Sequence, residues 1–83
     1  MYYVYILQSL KTEKLYIGHT DNLARRVKEH NTGCGGKYTQ QNAPWTLLYS
    51  ESHPDRSSGA KRERYLKSTR GSQEKKKLAG VLK

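Results

Sequence analysis

Phenylalanine is missing from this 83-residue chain, and cysteine occurs once. A lone cysteine, Cys34, excludes an intrachain disulfide. A catalytic thiol needs a base and a depressed pKa. In the stretch Gly33-Cys34-Gly35-Gly36 an ordinary loop cysteine is the plainer reading. No apolar run is long enough to span a membrane, and no signal peptide is expected, so a reducing cytoplasm fits best. There is no internal repeat and no low-complexity tail. The length leaves room for one domain, residues 1–83, with a small core.

Acidic residues are also scarce. Sixteen Lys and Arg stand against seven Asp and Glu, a net charge of +9. Such an excess attracts polyanions, of which DNA and RNA are the commonest. Binding to an anionic membrane surface needs an amphipathic helix with large apolar residues opposite its basic face, and no segment shows one. Seven tyrosines replace the absent phenylalanines. Tyrosine suits strands, and its phenol is also available for chemistry or phosphate contact.

The chain reads as an α+β domain. Tyr2-Tyr3-Val4-Tyr5-Ile6-Leu7 is a β-favouring run, apolar on both faces, and predicts a well-covered strand. Lys11-Thr12-Glu13-Lys14 is turn-like, and Leu15-Tyr16-Ile17-Gly18 predicts a second strand in an antiparallel hairpin. Thr20 or Asp21 predicts a helix N-cap, with the helix ending near Asn31. Leu23 and Val27 mark its buried stripe, and Arg25, Lys28 and Glu29 face water. Arg26 and His30, four apart, share one edge of the stripe. Gly33 to Pro44 is a polar loop, and Trp45 to Ser50 a third strand that His53-Pro54-Asp55 breaks. Asp55, Ser57 or Ser58 can cap a second helix running to about Ser68. A short third helix follows from Ser72, with Leu78, Val81 and Leu82 as apolar contacts. The expected architecture is a small three-stranded, mainly antiparallel sheet flanked by helices, in the order β-β-α-β-α-(α).

Glu63 is the anomaly of the second helix. Ala60 and Leu66 define its inner face, and Glu63 falls midway between them. A carboxylate there is costly unless it is paired or binds a metal. An internal arginine partner and a metal ligand are equally good readings of that position.

In this order the residues resemble the GIY-YIG nucleases. Tyr3-Val4-Tyr5, followed eleven residues after Tyr5 by Tyr16-Ile17-Gly18, is similar to the paired motif that names the family. Arg26 matches the family's arginine, His30 the histidine of many members, and Glu63 the carboxylate that holds a single divalent metal. The resemblance covers roughly residues 2 to 70, and it is closest to the small stand-alone bacterial members. Larger relatives in repair, recombination and restriction add DNA-binding modules that this chain has no room for. Tyr3 stands where the naming pattern has glycine. Some relatives carry a helpful asparagine after the metal ligand, whereas this chain has none beyond Asn42, which leaves Ser68 as a substitute.

The resemblance implies an endonuclease hydrolysing phosphodiester bonds in nucleic acid, DNA ahead of RNA, and a role in DNA repair or recombination. Mg²⁺ (or Mn²⁺) on Glu63 would neutralise the phosphate and the departing 3′ oxygen. Arg26 would fork onto the phosphate. Tyr5, Tyr16 or both would accept a proton from water, with arginine and metal lowering a phenol pKa that is ordinarily about 10. His30 would relay a proton or contact phosphate. For both tyrosines and for His30, plain packing is the simpler explanation from sequence. Lys61, Arg62, Arg64, Lys67, Arg70 and Lys75 to Lys77 would bind the phosphate backbone, and Lys37 in Lys37-Tyr38-Thr39 could touch a strand. The alternative is a catalytically weak or inactive basic nucleic-acid-binding module. A basic protein–protein adaptor has least support.

Overall fold

The computed structural model describes residues 1–32 and 41–80. The readings made above for Gly33–Gly36, Lys37-Tyr38-Thr39, Val81 and Leu82 lie outside the described residues. Three strands form one antiparallel sheet in the order β2-β1-β3. They are β1 (Tyr2–Ser9), β2 (Leu15–Thr20) and β3 (Trp45–His53). Helix α1 (Leu23–Asn31) follows β2, and α2 (Arg56–Lys67) and α3 (Ser72–Ala79) follow β3. The fold is α+β in the expected order, β-β-α-β-α-α.

The β1 run is apolar on both faces because β1 is central and covered on both. Val4 and Ile6 join Ile17, Leu66 and Ala79 in the layer under α2 and α3. Tyr5 and Leu7 join Trp45, with Tyr16, Leu23 and Val27 packed on them, in the layer under α1. Val4, Ile6, Leu7 and Leu66 are fully buried, each contributing about 1.5–3 kcal/mol of burial free energy. The sheet is therefore the middle of a three-layer stack.

Local chemistry explains the boundaries. The N-cap of α1 is Asn22, not Thr20 or Asp21: the Arg25 backbone N–H donates to Asn22 Oδ1 at 3.1 Å. Thr20 instead shapes the approach, its hydroxyl accepting from the Asn22 N–H at 3.1 Å. At the other end Asn31 clamps α1 to β3, its amide donating to the Trp45 carbonyl at 3.2 Å and accepting from the Trp45 N–H at 2.5 Å. Strand β3 runs three residues past the expected end at Ser50, since Glu51, Ser52 and His53 pair with Val4, Tyr3 and Tyr2. A bulge interrupts this pairing between Ile6 and Leu7. Asp55 caps α2 by accepting from the Ser58 N–H at 2.8 Å. No helix among the described residues is long and apolar enough to cross a membrane.

Candidate active site

Residues 5, 16, 26 and 30 come from three elements and meet on the α1 face of the sheet. Tyr5 pairs with Gly18 across the hairpin and Leu7 with Tyr16, so the two phenols lie on one face with ring centroids 6.4 Å apart. A Cβ built on Gly18 would lie 2.5 Å from the Tyr5 hydroxyl and 2.8 Å from its Cζ. The motif glycine is thus the floor on which the Tyr5 phenol rests. His30, wholly buried, puts Nε2 3.0 Å from the Tyr5 hydroxyl and its ring 4.9 Å, edge-on, from Tyr16. Its Nδ1 is buried without a hydrogen-bond partner among the described residues. Arg26 sits one turn before His30 and bonds Glu29 at 3.1 Å. Glu29 is accordingly half-buried rather than turned to water.

Electrostatics divides the roles. Burial pushes the Tyr5 phenol up to about 12, even though Arg26 beside it pulls the other way. The expected lowering by arginine is present but loses to desolvation. Burial, reinforced by the Arg26 charge, holds His30 below the ordinary imidazole value. Both groups are therefore neutral at pH 7, and the phenol is the natural donor to Nε2.

Glu63 approaches from the other layer. Gly59 of α2 lies against Tyr2, Val4 and His19, where an added Cβ would sit 3.8 Å from the His19 Cβ. One turn further on, Glu63 Oε1 meets His19 Nδ1 at 2.5 Å and Oε2 meets Lys67 Nζ at 2.7 Å. Burial opposes the charge on Glu63, but Lys67 and His19 outweigh it and hold the carboxyl below the ordinary range. Its partners are thus lysine and histidine, not the arginine considered from sequence. Lys67 joins the two layers, its ammonium lying 5.9 Å from the centre of the Tyr16 ring. The Glu63 charge is also felt at Tyr5.

Glu63 is a half-buried carboxylate whose two oxygens accept from an imidazole and an ammonium. Among the described residues no cluster of three or more His, Cys, Asp and Glu side chains forms a ready metal cage. Glu63 would be the one protein carboxylate, a donor set that fits Mg²⁺ with its retained waters.

Next to this centre lies an open cleft lined by His19, Asp21, Arg25, Arg26, Glu29 and Arg56 among others. Lys61, Arg64 and Arg70 are exposed on α2 and just beyond it. Two of the cations expected to meet phosphate are engaged elsewhere. Arg62 bonds Glu51 at 3.0 Å and also pairs with Glu74, and Lys67 holds Glu63. Ser68 is occupied at the end of α2, donating to the Tyr65 carbonyl at 2.5 Å and accepting from the Gly71 N–H at 3.2 Å. Sequence reasoning missed His19, Arg56 and the part played by Gly18. Only for Gly18 was a signal present, as the last residue of the Tyr16-Ile17-Gly18 motif.

The chain is similar to a UPF0213 protein of Clostridium perfringens, 48% identical over 67 residues, 81% of this chain and 71% of that protein. A UPF0213 protein of Natronomonas pharaonis is 43% identical over 67 residues, 81% of this chain and 78% of that protein. The solution NMR structure of a UPF0213 protein from Bacillus halodurans is 33% identical with a TM-score of 0.54, covering 94% of this chain and 85% of that one. The family described as the GIY-YIG catalytic domain matches residues 1–77. With the motif tyrosines, arginine and histidine gathered on one face, this chain belongs to the GIY-YIG catalytic domain family.

Proposed function

We propose that this domain is a metal-dependent endonuclease that hydrolyses phosphodiester bonds in nucleic acid, DNA ahead of RNA. The observation that carries this reading is the meeting of Tyr5, Tyr16, Arg26 and His30, with Glu63 linked to Tyr16 through Lys67. Arg26 lines the cleft and pairs with the phosphate, exchanging Glu29 for a doubly bonded anion. Tyr5 is buried and protonated, so it orients and donates rather than accepting a proton. Tyr16 is only half-buried, can meet water, and serves as the general base. His30 holds Tyr5 in place and stacks edge-on against Tyr16. Glu63 would hold Mg²⁺ or Mn²⁺, which when bound supplies charge neutralisation at the phosphate and at the leaving 3′ oxygen. Lys61, Arg64, Arg70, Arg25 and Arg56 guide the backbone.

A second reading has one observation in its favour. Both Glu63 oxygens already accept from the chain's own donors, as they would in a binding module that does not cut. Labelled single-stranded, duplex and branched DNA and RNA, incubated with and without Mg²⁺ or Mn²⁺, separate the two. Cleavage is expected only with metal, and Glu63→Gln is expected to abolish it while binding stays nearly intact. Cleavage by Glu63→Gln at the wild-type rate would remove the metal-ligand role, and no cleavage of any substrate by the wild type would favour the binding module.

A further inference from the structure

His19 stands immediately after the Tyr16-Ile17-Gly18 motif, on the edge strand β2. Its side chain is about a quarter exposed and borders the arginine-lined cleft. Its Nδ1 lies 2.5 Å from Glu63 Oε1, a contact between residues 44 apart in sequence. Glu63 is ionised, so its oxygens only accept, and Nδ1 must carry the hydrogen of this bond. The ring edge that faces Glu63 is therefore the Nδ1–H edge, and Nε2 points away from the carboxylate. Gly59, one turn before Glu63, lies beside the His19 Cβ, where an added Cβ would make an ordinary contact at 3.8 Å.

The two oxygens of Glu63 are held by unlike partners. Oε1 is held by an imidazole rooted in a strand, with few rotatable bonds. Oε2 is held by Lys67, a long side chain half exposed to solvent. We propose that His19 is a positioning residue for the metal-binding carboxylate: its Nδ1–H fixes Glu63 through Oε1 and leaves Oε2 as the oxygen that exchanges the Lys67 ammonium for the cation. This deepens the nuclease reading and rests on Glu63 as the metal ligand. A hydrogen bond that orients a ligating carboxylate is worth about 10–100-fold in metal affinity.

The test uses side-chain geometry. An asparagine amide places an N–H where Nδ1–H stands, whereas a glutamine amide places it where Nε2 stands. Mn²⁺ binding to the full chain is followed by electron paramagnetic resonance in His19→Asn, His19→Gln, His19→Ala and Glu63→Gln, with thermal melting to establish folding. The expected result is affinity within about 2-fold of wild type for His19→Asn and a loss of about 10-fold or more for His19→Gln and His19→Ala. Wild-type affinity in His19→Ala, with binding lost in Glu63→Gln, overturns the positioning role and leaves the metal reading standing. A loss in His19→Asn as large as in His19→Ala also overturns it. Mn²⁺ binding unaffected by Glu63→Gln overturns the metal reading and this inference with it.

Discussion

Tyr5 and Tyr16 are neighbours across one hairpin, yet burial gives them different work. Tyr5 is 1% exposed and its hydroxyl is the only partner of His30 Nε2 among the described residues. Removing that hydroxyl strands a buried ring nitrogen, at a cost of about 1–3 kcal/mol. Tyr5→Phe is therefore expected to lower the melting midpoint by at least about 4–8 °C as well as slowing cleavage. Tyr16→Phe is expected to lose about 10²-fold or more in single-turnover rate, the size of a general-base contribution, with the smaller effect on melting. A larger rate loss in Tyr5→Phe than in Tyr16→Phe would move the base to Tyr5. The same pair shows where sequence reading stops. Arg26 and His30 were legible as neighbours from helical periodicity, while Tyr5 and Tyr16 were joined to them only by the resemblance to the GIY-YIG motif. The outcome of desolvation against the Arg26 charge was not legible, since it depends on how deep the ring sits.

Among the elements, β3, α2 and α3 are fastened by a polar cluster rather than by apolar contact alone. Glu51 on β3 accepts from Tyr49 at 2.7 Å, from Arg62 at 3.0 Å and pairs with His53 at 2.5 Å, and Arg62 reaches on to Glu74 of α3. Burial opposes ionisation of Glu51, but Tyr49, His53 and Arg62 prevail and hold its carboxyl below the ordinary range. A depressed folded-state pKa gives stability that is present above the unfolded value, near 4.3, and lost as pH falls through the folded value. Glu51→Gln is expected to lower the midpoint at pH 7 by about 4–8 °C, for roughly 1 kcal/mol. Its difference from wild type should shrink as the pH drops below 4. Melting curves across pH check this, and a constant difference down to pH 2 would dissociate Glu51 from acid stability. None of the cluster was legible in sequence, where Arg62 reads as one more phosphate-binding cation. Its partners are 11 and 12 residues away, and no periodicity links a strand glutamate to two helices. By contrast the strands and the Asp55 cap follow from local chemistry, and β3 overran its expected end because pairing with β1 overrode the weak β-propensity of Glu51-Ser52-His53.

For the molecule as a whole, the charge is distributed as well as large. Five of the seven acids (Asp21, Glu29, Glu51, Glu63 and Glu74) are in ion pairs, so the acidic minority is turned toward the chain's own cations. Exposed lysines and arginines are left to act together at long range. Nucleic-acid affinity should fall linearly on a log–log plot against salt, and Lys61→Gln with Arg64→Gln should flatten that slope by about 1 per cation removed. Arg62→Gln should leave the slope unchanged and lower the melting midpoint instead. Titrations at several salt concentrations distinguish the three, and equal slopes in all variants would place the binding face elsewhere. The central strand carries a last implication. Val4 and Ile6 face the hydrocarbon layer while Tyr5, between them, faces the candidate site. Sliding β1 by one residue would send the phenol into the oil and a valine or isoleucine under His30. Assembly errors would thus cost the core and the candidate site together, and a chain that passes the test of being well packed has, by the same alignment, its motif side chains in place.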